Sequence, residues 1–103
     1  MKFPVVVHKD ADSDYGVTIP DVPGCFSAGG SFSEALHNVR EALALHLEGV
    51  IADQEQLPQV LAIDVHLNNP DFSGGFWAIV DLDLMPYLRN TTQANTIYPT
   101  DSP

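Results

Sequence analysis

The stretch GGSFSEALHNVREALALHLEGV, residues 29–50, constrains this chain more than any other. Ser31 followed three residues later by Glu34 is a capping box, in which hydroxyl and carboxylate each satisfy a backbone N–H that the first helical turn leaves unpaired. A helix is therefore expected to begin at Phe32. From there Phe32, Ala35, Leu36, Val39, Ala42, Leu43, Leu47 and Val50 recur at spacings of three and four. That spacing lays one apolar stripe along about five turns, with Glu34, His37, Glu41 and Glu48 facing water. Two residues break the division: His46 falls in the apolar stripe, where a hydrogen-bonded, partly buried ring is expected, and Leu45 falls on the polar face.

A helix with a single apolar stripe must lie against another layer, and the flanking segments supply one. Phe3 to His8 is Val-rich behind Pro4, a residue tolerated near a strand start or on an edge. Tyr15 to Ile19 alternates as a second strand across the polar turn Asp10 to Asp14, and the two form a hairpin. Pro20 and Pro23-Gly24 turn the chain into a short third strand, Cys25 to Ala28. Val60 to Leu67 fits both periods and is assigned a short helix, stopped by Asn68-Asn69-Pro70. Phe76 to Val80 reads as a last strand running into Asp81-Leu82-Asp83-Leu84. The expected fold class is α+β, a two-layer sandwich in which the long helix covers one face of the sheet. A chain of 103 residues accommodates one such unit. The tail, Tyr87 to Pro103, has almost no apolar pattern and is expected to be poorly ordered.

Several stretches resemble chemical motifs without completing them. Gly24 to Ser31 follows the phosphate-loop spacing G-x-x-x-x-G-K-[ST] except that Gly30 replaces the lysine, so the cation for the outer phosphates is missing. Asp10, Asp12, Asp14 and Asp21 approximate a calcium loop, but Tyr15 occupies the position that needs glycine and no helices flank it. Cys25 has no neighbouring histidine and is expected to be a buried free thiol. His37 and His46 project from opposite helix faces, so one metal ion cannot join them. Asp81 and Asp83 share one face of a strand end; with a helix carboxylate they would make a Mg²⁺ site, and a small metal-dependent nuclease is the competing reading. No catalytic, cofactor or metal residue is assigned.

Charge narrows the partner. Fourteen acidic residues face four basic ones, Lys2, Lys9, Arg40 and Arg89, for a formal charge of −10. Such a surface repels phosphate backbones and suits a basic protein. One cysteine, no signal-peptide core and no long apolar run lead to the expectation of a soluble, cytoplasmic protein.

YGVTIPDVPGCFSAGGSFSEALHNVREALALHLEG, Tyr15 to Gly49, resembles the signature of the HicB-like antitoxin family, and GGFWAIVDLDL, Gly74 to Leu84, resembles that family's last core strand. The resemblance covers roughly residues 1–90. It implies a partial, degenerate ribonuclease-H-like β-β-β-α-β sandwich with a small extra helix, without catalytic capacity, that binds a HicA-type toxin. Such a toxin is a small, basic, mRNA-cleaving protein with a double-stranded-RNA-binding-like fold, and occlusion of its RNA-binding and catalytic surface is the expected mechanism. An acidic regulatory domain with another partner is a further reading. The resemblance divides the chain into an antitoxin domain, 1–88, and a tail, 89–103, in which Thr92 to Pro99 weakly resembles the DNA-reading ribbon strand of some members. With Arg89 the sole basic residue after Arg40, the chain alone is not expected to bind operator DNA. Toxin contact is expected at exposed groups around the hairpin and turn, Asp12, Asp14, Tyr15 and Asp21, and a subunit or partner contact at Leu45. A homo-oligomer is expected.

Overall fold

In a computed structural model, which describes residues 1–9 and 11–87, the capping box starts a helix, α1, over Phe32–Ala52. Ser31 is extended, and its Oγ accepts the Glu34 N–H at 3.1 Å. The Glu34 carboxylate reaches back to the Gly30 N–H at 2.6 Å, one residue earlier than a capping box usually does. At the other end Gln54 takes a left-handed φ of 59°, and its N–H bonds the Ile51 carbonyl, satisfying a carbonyl the helix terminus would otherwise leave open.

The strands are β1 (Lys2–Lys9), β2 (Tyr15–Thr18), β3 (Phe26–Gly29) and β4 (Phe76–Asp81), in the spatial order β3-β2-β1-β4. All three neighbouring pairs are antiparallel. β1 and β2 form the expected hairpin, with Val7 opposite Val17 and Lys9 opposite Tyr15. The short helix α2 (Ile63–Leu67) and a 3₁₀ turn (Pro70–Phe72) lie between α1 and β4.

The core follows from period two on the strands meeting period 3.6 on the helix. Phe3, Val5, Val7, Val17, Ile19 and Val80 meet Ala35, Val39, Leu43 and Leu47, all buried. The helix packs against β3 and β2. Its start comes close to the sheet because Gly29 has no side chain: a Cβ there would lie 2.5 Å from the Ala35 nitrogen.

The sheet's other face is covered in part, which the two-layer expectation did not include. Val6, fully buried, lies opposite Trp77 in the β1–β4 register, on the face away from the main core. His66 of α2 stacks on the Trp77 ring at 6.4 Å, and Phe72 meets that ring edge-on at 5.7 Å. Gly75 permits the close crossover, since a side chain there would collide with Val6 and His8. The segment Val60 to Leu67 is helical from Ile63 on, and the tail beyond residue 87 lies outside the described residues.

Candidate functional site

The hairpin end is built from the turn at residues 11–14 and the last β1–β2 pair. Asp12 and Asp14 are exposed there. Tyr15 is half-buried, held between the Lys9 ammonium, 5.5 Å from its ring centroid, and the edge of Phe32 at 6.1 Å. This three-residue stack ties the turn to the start of α1. The brace holds Tyr15 itself, and Asp12 and Asp14 precede it as exposed carboxylates of the turn.

Asp21 departs from the expectation of an exposed contact group. Its side chain is 1% exposed; one carboxylate oxygen lies 2.9 Å from His66 Nε2, and the other accepts the Leu61 N–H at 3.2 Å. The carboxylate is turned inward because it clasps the segment that follows α1. His66, the ring that stacks on Trp77, was not singled out in the sequence, since its partner lies 45 residues away and no local spacing links them.

Leu45 is exposed as expected, at 72%. His46 is also exposed, contrary to the partly buried ring predicted from the stripe. Its ring lines a depression of about 300 Å³, together with Gly24, Cys25, Phe26, Ala42 and Leu45. Phe26, 69% exposed, lines the same depression as Leu45. Thirteen residues of helix separate Leu45 from Phe32, roughly 20 Å at 1.5 Å per residue, so this depression and the hairpin end are distinct surfaces.

The incomplete motifs fold as corners and strand. Ile19, Val22 and Cys25 exchange backbone hydrogen bonds across PDVPGC, with Gly24 at a φ of +87°. Cys25 is buried, and that burial pushes its thiol up from the ordinary value, away from the reactive thiolate. Asp81 lies 3.9 Å from the N-terminal ammonium, and Asp83 accepts the Met85 N–H at 3.0 Å. Among the described residues no group of three or more His, Cys, Asp or Glu is placed to hold a metal ion, and no helix is long and apolar enough to cross a membrane.

Known proteins share this architecture. Residues 3–101 match the family described as the HicB-like antitoxin of bacterial toxin–antitoxin systems. An uncharacterised 14.9 kDa protein of Haemophilus phage HP1, from its rep–hol intergenic region, is 38% identical over 99 residues, covering 96% of this chain and 74% of that protein. The crystal structure of the Burkholderia pseudomallei antitoxin HicB superposes with a TM-score of 0.76 at 40% identity, over 82% of this chain and 64% of that one. This chain thus spans less than two thirds of that protein. A chain of a HicA3 and HicB3 toxin–antitoxin complex superposes with a TM-score of 0.67 at 28% identity, over 81% of this chain and 99% of that one.

Proposed function

Because this chain belongs to the HicB-like antitoxin family of bacterial toxin–antitoxin systems, we propose that it neutralises a HicA-type toxin by covering that protein's basic RNA-binding and catalytic surface. The family assignment makes it a non-enzymatic antitoxin. The observation that carries the finer reading is the formal charge of −10, which suits a small basic partner and opposes direct contact with RNA. Asp12, Asp14 and Tyr15 are the toxin-facing groups in this reading; Asp21, being buried, supports the corner from within. The order β3-β2-β1-β4, with α1 following three strands, supports treating the sandwich as a partial ribonuclease-H-like unit, from whose mixed sheet the antiparallel β1–β4 pair departs. Function follows in the cytoplasm, where a HicA-type toxin meets mRNA. The chain works as a homo-oligomer, with Leu45 at a subunit or partner contact, and does not bind operator DNA by itself.

Co-expression with a HicA-type toxin tests this reading. A stable complex on affinity purification, together with relief of growth arrest, is expected. Separate elution of the two proteins with arrest unrelieved would overturn it.

A further inference from the structure

The two edges of the sheet are not equally protected. At the β3 edge the strand is four residues long, and the Asn38 side-chain amide of α1 donates to the Ala28 carbonyl at 2.8 Å, so the helix satisfies part of that edge. β4 is the opposite edge, and among the described residues no strand lies beyond it. Its run Phe76-Trp77-Ala78-Ile79-Val80 has no charge and no proline, which are the usual defences of an exposed edge. It also leaves two large apolar side chains in water, Phe76 at 64% and Ile79 at 54% exposure.

The register says which backbone groups are open. Met1 and Leu82 exchange both hydrogen bonds, at 2.7 and 2.8 Å, extending the β1–β4 ladder by one pair. Bonded and non-bonded pairs alternate in an antiparallel ladder, so Val80, Ala78 and Phe76 bond toward β1. Trp77 and Ile79 therefore point their N–H and C=O groups outward. Pro4 agrees with this phase, lying opposite Ile79 at a non-bonded position where no N–H toward β4 is required.

We infer that a second copy of this chain occupies this edge, pairing β4 with β4 about a two-fold axis at Ala78 into one eight-stranded sheet. With the axis there, Trp77 of each copy meets Ile79 of the other, and these are the residues with open ladder groups. Phe76 lies beside Val80 of the second copy and leaves water. Asp81 falls opposite Gly75, so no carboxylate faces another along the seam, which lets two chains of charge −10 meet there. The inference rests on the proposal that the chain self-associates and places that contact at β4, which leaves Leu45 of α1 to a partner contact.

Sedimentation velocity on the full chain and on Ile79→Pro and Ile79→Lys tests it. Proline at 79 removes an outward N–H and leaves the β1 ladder intact, while lysine charges the seam at an already exposed position. The expected result is a wild type of twice 11.2 kDa and variants of 11.2 kDa with unchanged circular dichroism. Ala78→Cys gives a direct readout if either variant unfolds: across the axis its Cα atoms sit at a non-bonded pair about 4.5 Å apart, within disulfide reach, so oxidation is expected to link two chains. A dimer unmoved by either Ile79 variant, or Ala78→Cys that never cross-links, would overturn the seam while leaving self-association standing. A monomeric wild type would overturn both.

Discussion

Asp12, Asp14 and Asp21 are three carboxylates within ten residues of one another, and the fold gives them opposite work. Asp21 is a buried acceptor for His66 and the Leu61 N–H, so removing it leaves His66 without its carboxylate in a place with little solvent. Asp21→Ala is expected to lower the unfolding free energy by about 1–3 kcal/mol, as leaving buried hydrogen-bond partners unsatisfied does. Urea titration followed by fluorescence of Trp77, the chain's single tryptophan and the ring His66 stacks on, reads it directly. Asp12→Ala and Asp14→Ala are expected to stay within about 0.5 kcal/mol of wild type, being exposed, and yet to slow association with the toxin. Stopped-flow binding checks that separation. Cys25 makes a third test: with its thiol buried and held in the protonated form, labelling by a thiol reagent at pH 8 is expected to run at least about tenfold slower than in urea-unfolded protein. The burial of Cys25 and the exposure of Asp12 and Asp14 were legible in the sequence, whereas the inward turn of Asp21 was not. The carboxylates look alike in sequence, and what separates Asp21 from Asp12 is a histidine 45 positions away, a distance that no periodicity spans.

Helix and strand periods are local, so the elements themselves are legible in the sequence. The capping box placed the start of α1 at Phe32, and its apolar stripe is buried at Ala35, Val39, Leu43, Leu47 and Val50 and half-buried at Leu36 and Ala42, while Phe32 is exposed and Ile51, outside the stripe, is buried. His46 failed for a physical reason: angle on a helix says which way a residue points, while burial depends on what stands opposite, and among the described residues that is the depression beside Cys25 and Phe26. The covering of Val6 and Trp77 by α2 and the 3₁₀ turn was equally hidden, since it depends on a crossover of more than twenty residues. Packing of α1 on β3 turns on Gly29. Gly29→Ala is expected to destabilise by about 1–3 kcal/mol, because the new methyl would meet backbone atoms of Glu34 and Ala35 that cannot rotate away. A lowered denaturation midpoint with an unchanged urea slope would be the sign. A midpoint equal to wild type would mean that the helix start shifts freely.

On the scale of the whole molecule, the family, the α+β architecture and the charge were all legible in the sequence, whereas the toxin-facing groups depend on a partner surface that no single chain encodes. Charge gives the account its kinetic signature. If a field of −10 steers a basic toxin, the association rate is expected to fall severalfold as salt rises from about 50 to about 300 mM, while the dissociation rate changes much less, because screening shortens the reach of exposed charges. Neutralisation itself is the central claim, and the most direct measurement is RNA cleavage by the purified toxin as this chain is titrated in. The account predicts that cleavage falls in proportion to added chain and stops at a fixed stoichiometry. Cleavage persisting at full rate in excess folded chain would contradict it.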